Sequence, residues 1–204
     1  MRILGISTSP RIISNSDMLL RQALAGAESA GGEVACVRLS DYNIAPCIEC
    51  NACYATGLCR VQDDYQQVLK EILDADRLIF ATPVFFMSVC AQAKMLIDRG
   101  QCLWAHKYVL KKQVFPAGHD RRAMVIAVGG SRSKKQFESI RLTMMSYFDV
   151  LEVSYVSNLF VNKIDGPGEI EKHPLAFREA YRLGKELVTT GTPPPQKPVA
   201  VELT

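Results

Sequence analysis

The chain has 204 residues, 48% of them hydrophobic, which is apolar material for one core and sets a single domain as the expectation. A net charge of +3, with no Lys/Arg run longer than the pairs Lys111-Lys112, Arg121-Arg122 and Lys134-Lys135, argues against nucleic acid as a partner. The apolar stretch within residues 1–10 (MRILGISTSP) is too short for a signal peptide or a membrane span, so a cytoplasmic protein without membrane contact is expected.

Arg2 to Ser7 (RILGIS) is a short apolar run that gives way to turn residues up to Ser16, and reads as strand one. Asn15-Ser16-Asp17 then supply capping chemistry for a helix over MLLRQALAGAESA, stopped at Gly31-Gly32. Glu33 to Leu39 is strand two, and a cysteine-bearing loop follows from Ser40 to Asp63. Tyr65 to Leu73 has helical spacing, Arg77 to Thr82 (RLIFAT) is strand three, ended by Pro83, and helical spacing returns from Ser88. Ala123 to Val128 is strand four, Lys134 to Tyr147 a helix, Leu151 to Val161 contains strand five, and the last helix spans Glu169 to Val188.

Strict alternation of strands and helices predicts an α/β fold: a five-stranded parallel sheet covered on both faces, doubly wound in the order 2-1-3-4-5. The domain is expected over 1–191, with the cysteine segment at 43–62, and 192–204 as an extended, Pro-rich tail. The 101–122 connection and the tail read either as partner-contacting or mobile segments, or as surface loop and frayed end.

In such sheets the ligand crevice lies beyond the strand C-termini near the order reversal, here between strands one and three. Ser7, Ser9, Arg11, Ser14, Asn15 and Ser16 bring hydroxyls, an amide, a guanidinium and a helix N-terminus to that edge, a set that suits a phosphate. No Gly-Lys-Ser/Thr and no G-x-G-x-x-G occurs, so a mononucleotide fits better than a P-loop or dinucleotide site. An ordinary polar turn is the competing reading.

After strand three, Pro83, Val84, Phe85, Phe86, Met87 and Ser88 place apolar side chains at the sheet edge, where a flat ring would cover them; core packing is the alternative. Gly129, Gly130 and Ser131 after strand four permit close backbone approach to a ligand. A response-regulator reading would want acidic residues where this chain has Ser7 and Thr82. His106, His119 and His173 are too dispersed for a catalytic group, and no catalytic side chain is assigned.

Of seven cysteines, Cys36, Cys90 and Cys102 are scattered, whereas Cys47, Cys50, Cys53 and Cys59 form C-x2-C-x2-C-x5-C. Three thiolates at intervals of three plus a fourth can ligate a [4Fe–4S] cluster. Zinc more often takes two separated C-x2-C knuckles, and thiols binding no metal are the third possibility.

Over residues 1 to 190 these motifs resemble the NADPH-dependent FMN reductase superfamily of flavodoxin-like proteins, and the compact cysteine motif resembles its iron–sulfur flavoproteins. The phosphate loop matches at Ser7 to Ser16, the ring loop at Thr82 to Ser88 with Ala91-Gln92-Ala93-Lys94, and the third loop at Gly129 to Arg132. The resemblance implies FMN, a [4Fe–4S] cluster on Cys47, Cys50, Cys53 and Cys59, and a homodimer or homotetramer in which one subunit's cluster serves a neighbour's flavin. The chain departs from the pattern in its longer 101–122 connection and its tail. The expected activity is electron transfer between cluster and FMN with a ferredoxin-like donor. The rivals are an NAD(P)H-dependent FMN or quinone reductase without a cluster, and a flavin-free thiol or zinc module.

Overall fold

The computed structural model describes residues 1–191 and 193–204. Seven strands among them form one sheet: β1 (Arg2–Ser7), β2 (Glu33–Arg38), β3 (Arg77–Phe85), β4 (Ser88–Val89), β5 (Arg122–Val128), β6 (Ser154–Val161) and β7 (Val199–Leu203). The main path runs β2-β1-β3-β5-β6-β7, all parallel, with β4 returning antiparallel on β3. The expected order is therefore present, with two strands added. β7 lies in the segment expected to be a tail: after the prolines, Ser157 to Val161 pair with Val199 to Leu203 and lengthen the chain's own sheet.

Among the described residues there are seven α-helices: α1 (Asn15–Ser29), α2 (Cys53–Thr56), α3 (Tyr65–Leu73), α4 (Ala91–Arg99), α5 (Gln101–Trp104), α6 (Glu138–Val150) and α7 (Pro174–Thr189). The expected final helix is broken because His173-Pro174 ends a 3-10 turn at Glu169–Lys172 and Pro174 opens α7, where its missing N–H costs nothing. The 101–122 connection is helical in its first half, with a π-turn over Ala105–Val109 after α5.

Leu19, Leu20, Ala23 and Ala27 of α1 pack with Ala176, Ala180 and Leu183 of α7 on one face of the sheet. Val68, Leu96 and Ile140, from α3, α4 and α6, cover the other. α1 stops in a Schellman motif: Gly31, at φ +88, and Gly32 donate back to Glu28 and Ala27. α1 and α7 touch backbone to backbone, since a Cβ on Gly184 would stand 1.9 Å from the Ala23 carbonyl oxygen. Such contact leaves α1 little freedom, and α1 anchors the loop that joins it to β1.

At the amino edge of the sheet three arginines are buried. Arg121 donates to the carbonyls of Ile72, Ala75 and Leu151 at the ends of α3 and α6. Arg77 and Arg122 share Asp120 and donate to the Leu187 and Thr190 carbonyls at the end of α7. Cations at helix C-termini satisfy orphan carbonyls and oppose the dipole. Among the described residues no helix is long and apolar enough to cross a membrane.

Candidate cofactor crevice and cysteine site

At the opposite edge, a crevice opens between the loops after β1, β3, β5 and β6. Its walls include Ser9, Arg11, Ser14, Asn15, Ser16, Pro83, Val84, Phe85, Gly129 and Gly130, drawn from all three loops singled out in the sequence. Ser7, Phe86, Met87, Ser88 and Ser131 are outside those walls. Ser7 is the buried last residue of β1, and Ser131 turns into the next helix, accepting from the Ser133 N–H.

The phosphate loop is tied down from beneath. Thr8 donates to the Ala81 carbonyl through both N–H and hydroxyl, and the Cys90 thiol donates to the Thr8 carbonyl at 3.1 Å. Cys90 N–H in turn donates to the Thr82 hydroxyl, so this buried cysteine bolts the first loop to the third strand. Ser14 is the N-cap of α1 in extended backbone, but its hydroxyl bonds the Ser16 hydroxyl at 3.0 Å instead of capping the helix. The first-turn N–H groups of α1 are thus left without a side-chain cap beside the cavity, the arrangement that receives an anion.

The ring loop is a hairpin. Phe85 pairs with Ser88 across Phe86 and Met87, whose φ angles of +47 and +62 make a two-residue primed turn from side chains that rarely adopt it. Phe86 is fully exposed at its tip. A Cβ on Gly129 would stand 2.3 Å from Gln136 Oε1 and 2.8 Å from Val84 Cγ2, so only glycine lets the third loop meet the hairpin.

Ile164 and Asp165, from the loop after β6, complete the cavity and were missed in the sequence. Arg11 donates to the Asp165 carbonyl, and Asn15 both donates to the Gly166 carbonyl and accepts from Ile170 N–H. The signal was the turn run Asp165-Gly166-Pro167-Gly168 directly after strand five.

Cys47, Cys50, Cys53 and Cys59 line one second cavity, together with Ile48, Val61, Arg60, Arg99 and a fifth cysteine, Cys102, which the sequence left among the scattered ones. Glu49 and Asn51 take positive φ between the first three cysteines, and Gly57, at φ +75, closes α2 before Cys59. The thiols are near enough to one another that burial, then Cys102, Cys59 and Cys50, push the Cys53 thiol upward. Among the described residues no three His, Cys, Asp or Glu side chains converge as they would on a single ion. An all-sulfur set around one cavity suits a four-iron cluster, whose ligands bind separate irons.

Arg99, its side chain fully buried, stitches the ends of this loop together by donating to Ala45 O, Val61 O and Asp63 Oδ2. Against the cost of burial, hydrogen bonds from Arg99 and from the Ala45 and Tyr65 N–H groups hold the Asp63 carboxyl below its usual range. Tyr65 lies under the guanidinium at 4.4 Å.

A strand order that reverses between β1 and β3, with a polar crevice at that point, defines a flavodoxin-like α/β protein. The model of the NADPH-dependent FMN reductase family matches residues 1–163, and the chain belongs to that family. It is 32% identical over 195 residues to an iron–sulfur flavoprotein of Methanocaldococcus jannaschii, covering 92% of this chain and 95% of that one. An iron–sulfur flavoprotein of Methanosarcina thermophila is 35% identical over 141 residues, covering 69% of this chain and 70% of that one. Among solved structures, an NAD(P)H:quinone oxidoreductase from Methanothermobacter marburgensis shares the fold at TM-score 0.72 and 20% identity, over 95% of this chain and 98% of that one. The protein is an oxidoreductase, and FMN is its cofactor.

Proposed function

We propose that the chain is an electron-transfer flavoprotein that holds FMN in the crevice after β1, β3 and β5 and a [4Fe–4S] cluster on Cys47, Cys50, Cys53 and Cys59. The observation that carries the reading is the gathering of all four motif cysteines around one cavity, in a chain whose crevice already has uncapped helix donors. When bound, the cluster supplies one-electron chemistry and FMN links it to two-electron chemistry. The chain's residues bind and orient. Ser9, Ser14, Ser16 and the first turn of α1 receive the phosphate, with Arg11 balancing its charge. Pro83, Val84 and Phe85 present backbone and apolar surface to the ring, and Phe86, Met87 and Ser88 extend that shelf. Gly129, Gly130 and Ser131 close the third side, and no side chain is needed as acid or base.

The donor is a ferredoxin-like protein, and the working unit a homodimer or homotetramer whose subunits share cluster and flavin. Support for a second subunit comes from Phe86, Met87, Leu142 and Met145, large apolar side chains left exposed. A second reading, an NAD(P)H-dependent FMN or quinone reductase with idle cysteines, is favoured by the family match itself.

Protein purified without oxygen is expected to show flavin bands with a broad iron–sulfur shoulder, and Cys50→Ala to lose the shoulder while keeping the flavin. Flavin bands alone in the wild type, with fast NADPH oxidation by added quinone, would establish the second reading instead.

A further inference from the structure

Arg99 is a buried cation that the flavin chemistry does not use, and, unlike Arg77, Arg121 and Arg122, it has one guanidinium nitrogen without any acceptor. Nη1 serves Ala45 O and Asp63 Oδ2, at 3.0 and 2.7 Å, and Nη2 serves Val61 O at 2.9 Å. Nε is buried and has no partner among the described residues. A buried N–H without an acceptor is costly, and each such group in a native fold calls for an explanation. The explanation lies in the neighbouring cavity: Arg99 forms part of the wall that carries the four motif cysteines, Cys59 among them, and the Nε–H has no acceptor of its own there.

The anchoring partners explain why Arg99 cannot swing away. Ala45 precedes Cys47 and Val61 follows Cys59, so one planar fork holds both ends of the cysteine segment while the Tyr65 ring supports its face. Lysine, a point charge without a fork, could not serve all three oxygens and also present a fixed N–H.

We infer that Arg99 is a positioning and tuning residue of the cysteine site: its Nε–H donates to the Cys59 sulfur when that sulfur is a cluster ligand. This rests on the cluster reading given above. A four-iron cluster on four thiolates carries negative charge that grows on reduction, and hydrogen bonds to its sulfurs therefore favour the reduced form. Asp63, paired to the same guanidinium, opposes that effect with its own negative charge.

The two residues are thus expected to move the cluster's potential in opposite directions. The test is a redox titration followed by EPR on full-length protein prepared without oxygen, with iron and sulfide counted and circular dichroism recorded for each variant. Arg99→Lys is expected to disfavour reduction about tenfold, a fall of about 59 mV for one electron. Asp63→Asn is expected to shift the potential upward, and it carries the test alone should Arg99→Lys not fold. A merely structural role for Arg99 predicts loss of iron in both variants without opposite shifts. Iron-loaded variants with wild-type potentials, or shifts of the same sign, would overturn the assignment of Arg99 while leaving the cluster in place. Wild-type protein without iron or sulfide would overturn the cluster reading and this one together.

Discussion

The two edges of the sheet bury polar groups for opposite ends. At the amino edge, every guanidinium nitrogen of Arg77, Arg121 and Arg122 has an acceptor, mostly carbonyls at the ends of α3, α6 and α7. Elsewhere donors are left over: at the carboxyl edge the first turn of α1 has no side-chain cap and Ser14 and Ser16 bond only each other, and at the end of α4 Arg99 Nε, in the wall of the cysteine cavity, has no acceptor among the described residues. A saturated polar cluster holds a fold together, whereas one with spare donors is arranged for something that is not protein.

Arg121→Met strikes the saturated edge hardest. It strips three carbonyls of their partner and is expected to cost about 3–5 kcal/mol in urea unfolding, with FMN content of the remaining folded protein unchanged. Lost FMN binding at full stability would erase the contrast between the edges.

Asp120→Asn is the next largest effect, about 1–3 kcal/mol at neutral pH, and its sign depends on acidity. Against burial, hydrogen bonds and charge from Arg122 and Arg77 hold the Asp120 carboxyl below its usual range. A depressed carboxylate contributes stability above its unfolded pKa of about 3.9, lost as pH falls through the folded value. Urea midpoints of wild type and variant should therefore converge between about pH 4 and pH 2; a gap that widens in acid would contradict the ion pairing.

At the open edge, the double change Ser14→Ala and Ser16→Ala removes two buried hydroxyls that satisfy each other, which is nearly neutral for folding. FMN affinity, read by flavin fluorescence quenching, should fall about tenfold, or about 1.4 kcal/mol. Unchanged affinity with lowered stability would move these serines to the structural side. The smallest effect belongs to the hairpin: Phe86→Asn with Met87→Gly suits the positive φ angles and should add about 0.5–1 kcal/mol. The same change should weaken FMN binding several-fold, and undiminished affinity would remove both residues from the ring shelf.

Much was legible because it depends on local pattern. The alternation of apolar runs with helical spacing forced parallel strands and crossovers, and the order of the first five main strands follows. Ser14-Asn15-Ser16 and the C-x2-C-x2-C-x5-C run stood out by residue type and spacing, and the structure gathers the first at the crevice and the second around one cavity. β7 was illegible because a short Val-Ala-Val stretch behind four prolines becomes a strand only when β6 offers an unpaired edge.

By itself, then, the sequence determined the wound sheet, the hydroxyl-rich loop after β1 and the four-thiol segment, because each is written in neighbouring residues and repeating periods. Tertiary structure alone decided that Cys90 bolts Thr8 to the third strand, that Asp165 walls the crevice, and that Arg99 and Cys102 reach the cysteine cavity. Those residues are brought together by the crossovers of the sheet across long stretches of chain, and no local pattern records which distant partners a fold will make adjacent.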